Sequence, residues 1–323
     1  MKKKDVIKGV QAILGDTSPS VLAELYFILK NNDGTFLRRI DLDETAQGAI
    51  SKEFAETVRG ELIDDETYSV ISISSADDRT NVIYEYDLEE IPSDLNVIDR
   101  IIEDEKIPFF NFKKDKLKDI RGIVILFCKD GKNLMLYKQH YPVSLIKKDK
   151  GFRLSRLGDK NRFTSLDEDI VRISTSFEFF KLDDTLFIMN INTLEKFFGF
   201  HDIIKKKAQL CIKEIEKAGI LDNPEVLESM TDTISFSRKM TKIFNFSPVL
   251  NKIPMDVIIK FTETHRILGG KFEYNANKDK IKLRTNESKQ LFLKLLNDDF
   301  LRSELTELYY DSSAKDQLEE TSA

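Results

Sequence analysis

The stretch IRGIVILFCKDGKNLMLYKQH, residues 120–140, decides the fold. Two apolar runs flank Lys129-Asp130-Gly131, and Asp and Gly tolerate the positive φ angles that a tight hairpin turn requires. The stretch therefore predicts an antiparallel β-hairpin formed by Ile120–Cys128 and Asn133–His140.

Similar hairpin signals lie on both sides of this stretch. Asn31-Asn32-Asp33-Gly34 and Leu182-Asp183-Asp184 each predict a turn between two short apolar runs. Asp43 is predicted to cap a helix that runs to about Leu62. The further strands predicted are 22–30, 35–40, 68–73, 82–86, 171–180 and 185–189.

From Ile191 onward the hydrophobic spacing changes to a helical period. Residues 271–274 and 280–283 predict a short hairpin within this part. The predicted helices are 193–200, 202–218, 224–230, 232–244, 255–266 and 287–296. The expected fold class is α+β, with an N-terminal, mainly antiparallel β-rich domain that has a few helices and a C-terminal helical domain with a short β-hairpin. The expected domains are 1–190 and 191–312, followed by a flexible tail at 313–323.

The composition favours a folded protein of about two domains. Of 323 residues, 41% are apolar and 33% are charged, which is enough apolar surface for a core and too patterned for disorder. Cys128 and Cys211 have no second ligand at metal spacing, which indicates a reducing compartment. No apolar run approaches the roughly 20 residues of a membrane span, and residues 6–14 do not form a signal-peptide core. We therefore expect a soluble cytoplasmic protein.

The charge is distributed unevenly along the chain. Residues 1–105 carry 11 Lys and Arg against 24 Asp and Glu, whereas residues 106–160 carry 15 against 5. Residues 161–323 carry 24 against 27, and the whole chain has a net charge of −6. The middle block has the charge needed to bind a phosphate backbone by counterion release. A solvated face that pairs with the acidic first block is the alternative reading.

The candidate phosphate contacts are cations of the middle block and of one predicted amphipathic helix. We predict that DNA is contacted by Lys113, Lys114, Lys116, Lys118, Lys147, Lys148, Lys150, Arg153, Arg156, Lys205, Lys206 and Lys207. Phe109, Phe110 and Phe112 lie next to these lysines. They are suited to stacking on unpaired bases, but a buried Phe cluster is the expected arrangement.

No motif in the sequence indicates catalysis. His140, His201 and His265 lie on different elements, without a nucleophile or a metal ligand at a characteristic spacing. A phosphate-binding loop and a nucleophile elbow are absent. Asp298-Asp299 and Asp183-Asp184 are expected to serve helix capping and turns rather than a magnesium ion. We therefore expect no enzyme activity, no cofactor and no metal.

The stretch LKLLNDDFLRSELT occupies residues 293–306 and is followed by Tyr309, Tyr310 and Lys315. It resembles the closing motif of the KwaB family, the soluble component of the two-gene bacterial anti-phage system Kiwa. The resemblance continues at Ile107–Phe112, at the hairpin Gly122–Tyr137 and at Ser247–Leu250.

The resemblance implies a protein that binds DNA without strong sequence preference and that dimerises. It also implies a membrane partner, KwaA, that recruits the protein to the inner membrane, where phage DNA replication or late expression is restrained. The family provides no catalytic residues to carry over.

Two other functions remain compatible with the residues. A metal-dependent nuclease would use the same basic segment with scattered carboxylates, and it would cut DNA when magnesium is present. A pure adaptor would dock its basic segment on a partner or on anionic lipid, and its affinity for DNA would be negligible.

Overall fold

The computed structural model describes residues 2–15, 21–77, 79–93, 95–103, 106–146, 169–312 and 314–315, and the backbone alone at 154–156 and 163–165. The chain forms two compact units. The first comprises Met1–Val70 and Ile91–Leu194, and the second comprises Ile71–Glu90 and Glu195–Ala323. The second unit thus includes a segment of 20 residues that precedes the expected cut at residue 190.

The described elements confirm the α+β class. The helices are α1 (Lys3–Leu14), α2 (Glu44–Val58), α3 (Asn96–Glu103), α4 (Ile191–Phe197), α5 (Phe200–Ala218), α6 (Ile234–Phe246), α7 (Met255–Thr264) and α8 (Asn286–Leu296). The strands are β1 (Glu24–Asn31), β2 (Gly34–Arg39), β3 (Ser69–Ser72), β4 (Val82–Glu85), β5 (Ile120–Lys129), β6 (Lys132–Gln139), β7 (Leu145–Ile146), β8 (Leu154–Arg156), β9 (Phe163–Ser165), β10 (Ile170–Val171), β11 (Phe179–Leu182), β12 (Thr185–Ile188), β13 (Glu273–Tyr274), β14 (Ile281–Lys282), β15 (Phe300–Arg302) and β16 (Tyr309–Asp311).

An antiparallel sheet forms the first unit, with strands in the order β2-β1-β5-β6-β11-β12. The predicted hairpin of β5 and β6 is confirmed and lies at its centre, paired from Gly122↔Gln139 to Lys129↔Lys132. Asp130 and Gly131 have φ angles of 51° and 75°, as a two-residue turn of the favoured hand requires. The hairpin β1–β2 is also confirmed.

Helix α1 supplies one layer over this sheet. Val6, Val10 and Ile13 are fully buried at a spacing of three or four residues, and the helix contacts β5, β6 and β11. This spacing places the three side chains on one helical face, so α1 contributes core residues along most of its length.

The second unit is built around packed helices. Helices α5 and α6 pack against each other, and α8 packs against α6. The core of the unit includes Cys211 and Ile215 from α5, Met240 from α6, and Phe292 and Leu296 from α8. The predicted short hairpin is present as β13 and β14.

Residues 171–180 do not form the continuous strand that the sequence predicts. Strand β10 ends at Val171 and β11 begins at Phe179. The residues between these two strands are mainly polar, and they make local contacts instead of strand pairing. Lys138 Nζ donates to the Ser176 carbonyl at 2.9 Å, and the two hydroxyls of Ser174 and Ser176 lie 3.5 Å apart.

The prediction that Asp298 and Asp299 cap a following helix is wrong, because the strands β15 and β16 follow α8. Asp298 has a φ of 56° and terminates α8 instead. Its N–H donates to Leu295 O at 3.0 Å, and the Asp299 N–H donates to Lys294 O at 2.9 Å. This pattern is a Schellman motif with an aspartate at the left-handed position.

The turn role predicted for Asp183-Asp184 is confirmed. Asp183 has a φ of 51° in the loop between β11 and β12, and its Oδ1 accepts a 2.9 Å hydrogen bond from the Asn133 N–H. The expected flexible tail lies outside the described residues, except for residues 314 and 315.

Candidate nucleic-acid interface

The loop of residues 106–119 leads into β5 and carries the first half of the predicted basic segment. It runs beside β2, where the Arg39 N–H donates to Pro108 O at 3.0 Å and the Phe110 N–H donates to Arg39 O at 2.9 Å. Backbone hydrogen bonds therefore tie the segment that precedes the lysines to the edge of the sheet. We call residues 113–121 the basic loop.

Asp115 anchors the basic loop from inside. Its carboxylate is buried and accepts from Arg38 Nε at 3.0 and 2.9 Å, and from the Asn111 N–H at 2.8 Å. The Arg38 guanidinium therefore neutralises this acidic group of the loop within the protein. The neighbouring lysines are exposed to solvent and do not pair with Asp115.

Four predicted contact residues of the loop project outward. Their side chains are exposed, and they form no ion pair with the residues that the structure describes; they are Lys113, Lys114, Lys116 and Lys118. Arg121 is exposed as well and donates to backbone carbonyls of Lys118 and Ile120 at 3.0 and 3.1 Å. The loop thus presents five cations within nine residues.

The expectation of a buried Phe cluster is wrong for two of its three members. Phe112 is 80% exposed and Phe109 is 54% exposed. Phe110 is half-buried and packs edge-on against Phe27 at 5.8 Å, and Phe112 leans on Phe110 at 5.1 Å.

The second half of the predicted basic segment falls largely on residues outside the described ranges. These are Lys147, Lys148, Lys150 and Arg153, while Arg156 belongs to β8, which is described by its backbone alone. The prediction that they contact DNA therefore remains a prediction.

Two of the three candidate lysines of α5 form ion pairs with acidic residues. Lys205 pairs with Asp232, and Lys206 Nζ lies 2.6 Å from Glu90 Oε1. Lys207 is half-exposed and forms no ion pair within the described ranges. All three belong to the second unit, whereas the basic loop belongs to the first.

A polar cavity in the second unit was missed by the sequence reasoning. It has a volume of about 640 Å³, and its charged lining residues are Asp77, Arg79, Lys242, Asp298 and Lys315. These residues come from distant parts of the chain and share no local motif. A sequence pattern therefore carries no signal for it.

One buried carboxylate organises this polar cavity. Asp77 accepts from Arg79 Nε and Nη2 at 2.9 and 2.8 Å, and from Lys242 Nζ at 3.2 Å. Burial by itself would raise the pKa of Asp77, but the hydrogen bonds from Arg79 and the charge of Lys242 outweigh it and lower that pKa. Asp77 is therefore ionised at neutral pH.

Lys315 also lines the cavity and contacts the turn after α8. Its Nζ donates to Asn297 O at 2.6 Å, to Asp298 O, and to Asp299 Oδ1 at 3.1 Å. Burial raises the pKa of Asp298, opposed by the charge of Lys315. A lysine close to the C-terminal end of the described chain thus closes the Schellman turn after α8.

Among the described residues, no three His, Cys, Asp or Glu side chains lie where they could share a metal ion. In the same part of the chain, no helix is long and apolar enough to span a membrane.

The comparisons with known proteins agree with one another. Residues 117–306 match the family model described as Kiwa protein KwaB-like. Over 285 residues the chain is 31% identical to the Kiwa protein KwaB of Escherichia coli O55:H7 (strain RM12579 / EPEC), which covers 86% of this chain and 89% of that relative. No solved structure matches the chain.

Proposed function

This chain belongs to the Kiwa protein KwaB-like family, and we propose that it acts in anti-phage defence by binding DNA through the phosphate backbone, largely without sequence preference. It works in the cytoplasm as a homodimer. A membrane partner of the KwaA type recruits it to the inner membrane, and the complex restrains phage DNA replication or late expression.

The orientation of the basic loop is the observation that carries this proposal. Four lysines without described ion pairs point to solvent, while Arg38 neutralises Asp115 inside the protein. Released counterions supply the free energy of binding, and the effect is independent of base sequence.

The exposed rings suit single-stranded DNA in particular. Phe109 and Phe112 are exposed and precede the lysines of the basic loop in the chain, so a base that stacks on a ring can place its phosphates near lysine. Stacking of a base on an aromatic side chain contributes about 1–3 kcal/mol and tolerates every base. We therefore expect unpaired DNA to bind at least as well as duplex.

The net charge of −6 makes the affinity for DNA sensitive to the salt concentration. Because the rest of the chain is acidic, the long-range field opposes DNA, and binding depends on close contacts within about one Debye length, roughly 10 Å at 0.1 M salt. Affinity is therefore expected to fall steeply between 50 and 200 mM salt, by a factor on the order of 10³ for about six phosphate contacts.

The test measures binding of the full chain to labelled duplex and single-stranded DNA across a salt series. Reversing four charges, with Lys113, Lys114, Lys116 and Lys118 all changed to Glu, should make the duplex salt slope shallower by about 3 to 4 units. A matched control reverses Lys4, Lys8, Lys252 and Lys260, which are exposed lysines outside the loop. Both variants change the net charge equally, so a loss confined to the loop variant identifies the loop itself.

Phe112→Ala separates stacking from charge. We expect it to weaken single-stranded DNA by roughly 5-fold to 100-fold and duplex DNA much less, because only unpaired bases stack. Equal losses on both forms would mean that the ring supports the loop rather than the bases.

The same experiment tests the alternative of a metal-dependent nuclease when magnesium is added and the DNA is then run on a denaturing gel. Intact DNA after long incubation, together with salt-sensitive binding, supports the proposal, whereas cut products replace it with a nuclease. Loss of all DNA binding, with nuclease-resistant co-purification of KwaA, would leave the adaptor function.

A further inference from the structure

A small polar pocket lies where β2 leaves the sheet of the first unit. It has a volume of about 200 Å³. This volume is below the roughly 300–1,000 Å³ of sites that enclose a whole small ligand, so the pocket suits a single ring system. The lining residues that bear polar or aromatic groups are Glu24, Arg39, Asp41, Gln47 and Phe109.

Contacts between β1 and β2 order one part of this pocket. Arg39 lies opposite Tyr26 in the pairing of the two strands, and its Nη2 donates to Glu24 Oε1 at 2.8 Å. The Tyr26 hydroxyl donates to the other carboxylate oxygen of Glu24. The Arg39 guanidinium makes no further hydrogen bond to the described residues, so its remaining N–H groups can donate to a ligand.

Two other lining residues supply acceptor oxygens. Asp41 is exposed, and its carboxylate has no hydrogen bond or ion pair within the described ranges. Gln47 Nε2 donates to Ala23 O at 3.2 Å, and its Oε1 accepts from no group in the same part of the chain. The pocket therefore combines available acceptors of Asp41 and Gln47 with available donors of Arg39.

Phe109 adds a flat apolar surface to these polar groups. Its ring is exposed, and the Arg39 guanidinium lies over it, with Cζ 5.7 Å from the ring centroid. Backbone hydrogen bonds between Arg39 and the neighbours of Phe109 hold this part of the chain beside β2. Unpaired bases commonly stack on such rings and guanidinium planes while their edges form hydrogen bonds.

Guanine is the base whose edges match this set of groups. Its Watson–Crick edge has two adjacent donors, N1–H and the N2 amino group, and one carboxylate can accept from both. Its O6 and N7 are the usual acceptors for arginine. Adenine and cytosine present one amino group beside a ring nitrogen that accepts, and thymine presents one N–H between two carbonyls. A carboxylate and an arginine in one pocket therefore favour guanine.

From these contacts we infer that the pocket binds one unpaired guanine, which stacks on Phe109, donates to Asp41 and accepts from Arg39. The inference rests on the proposed DNA binding and refines it. Lys113 of the basic loop follows Phe109 by four residues, a span of at most about 14 Å, so one strand can contact both. Duplex DNA engages the Watson–Crick edge of guanine in its own base pair, and its binding therefore stays independent of sequence.

The test measures binding of the full chain to labelled thymidine strands that carry one central guanine, adenine, cytosine or inosine, by fluorescence anisotropy. The guanine strand should bind roughly tenfold more tightly than the all-thymidine strand, the usual discrimination of one matched base. Inosine lacks the N2 amino group and should lose most of this preference, although it also stacks. Duplexes with and without a central G·C pair should bind alike.

Competition separates two sources of the base, because a free guanine nucleotide shares the chemistry of guanine within a strand. Displacement of the guanine strand by dGMP, but not by dTMP, identifies the free nucleotide as a ligand in its own right. Displacement by an unlabelled guanine strand alone identifies guanine within DNA as the ligand.

A single substitution locates the site. Asp41→Asn should remove most of the preference for guanine, while the all-thymidine strand binds as tightly as before or more tightly because a negative charge is lost. Asp33→Asn changes the charge equally at an exposed position in the turn between β1 and β2, and it should keep the preference. Thermal unfolding of both variants checks that the fold is intact.

The outcomes separate this inference from the proposed DNA binding. Equal affinity of the wild type for the four single strands, or an unchanged guanine preference in the Asp41→Asn variant, would overturn the guanine pocket and leave the DNA binding in place. Absence of binding to every strand would overturn both.

Discussion

Asp115 determines, at the scale of single residues, which way the charges of the basic loop face. The loop contains lysines on both sides of this aspartate, and any of them is a possible partner by sequence distance alone. The structure pairs Asp115 with Arg38, 77 positions earlier. Because Asp115 pairs with Arg38, the lysines of the basic loop stay available to a ligand.

Asp115→Asn should destabilise the protein by about 2 kcal/mol, because it leaves the partly buried Arg38 without its counter-charge. Urea unfolding provides the measurement. Asp119→Asn, in the same loop, changes the charge equally at a half-buried position and serves as the control. Equal stability of the two variants would show that the Arg38 pair does not anchor the loop.

His265 is the clearest source of pH dependence in the second unit. It is 7% exposed, and the rings of Phe261, Phe300 and Tyr309 surround it at 4.8, 5.3 and 5.1 Å. Its Nε2 has no hydrogen-bond partner among the described atoms, and burial lowers the pKa of His265. As pH falls through about 6.5, the unfolded chain takes up the proton first, and the free energy of unfolding decreases.

His265→Phe should therefore lose less stability than wild type between pH 7.5 and pH 5.5, since a phenyl ring fits the same aromatic surroundings without a titrating group. Urea unfolding at both pH values tests this. His140, whose pKa is lowered by burial and by Arg121 and Lys138, supplies a dependence of the same sign in both proteins. An identical loss in wild type and variant would show that His265 is protonated equally in the folded and unfolded states.

At the scale of elements, the hairpin β5–β6 brings the backbone of Gly122 close to the ring of Tyr137. A Cβ added to Gly122 would lie 2.6 Å from the Tyr137 ring and 2.8 Å from its hydroxyl oxygen. Tyr137 is itself held between Phe179, stacked at 5.2 Å, and the Gln139 side chain. The ring therefore cannot move away cheaply.

Gly122→Ala should cost about 1–3 kcal/mol through this overpacking. Gly48→Ala should instead stabilise the protein by about 0.5–1 kcal/mol, because Gly48 lies inside α2 with no heavy atom within 4 Å of the added Cβ. Thermal or urea unfolding measures both. A Gly122→Ala variant as stable as the wild type would contradict the packing around Gly122.

Elements were predictable where the signal is local. The turn at Asp130-Gly131 and the N-cap at Asp43, whose side chain accepts from the Ala46 N–H, both follow from neighbouring residues. The pairing of Asp115 with Arg38 and the contact of Lys315 with the Schellman turn depend on partners that are distant in the sequence. The cavity at Asp77 depends on four separate segments, so no window of sequence contains its pattern.

At the scale of the whole molecule, exposed apolar side chains of the second unit support the proposed homodimer. Val257 and Phe261 of α7 are 49% and 37% exposed and lie four residues apart, on one face of the helix. Leu305 and Leu308, between β15 and β16, are 92% and 58% exposed. Exposed apolar side chains are the groups that a protein interface buries.

Val257→Glu combined with Leu305→Glu should therefore shift the protein toward the monomer, because the added charges oppose burial of both surfaces. Light scattering over a range of protein concentrations measures the mass. Lys260→Glu, an exposed position of the same helix, is the control and should leave the mass unchanged. A wild-type mass equal to one chain at every concentration would remove the homodimer.

The interleaving of the two units has a consequence for synthesis on the ribosome. Ile71–Glu90 emerges early, yet the rest of its unit begins at Glu195, about one hundred residues later. At roughly 5–20 residues per second, the segment waits on the order of 5–20 seconds for its partners. Ile83 and Tyr84, buried in the finished protein, lack the rest of their unit throughout that interval. Nascent chains are therefore expected to present a chaperone-binding segment before the second half is made.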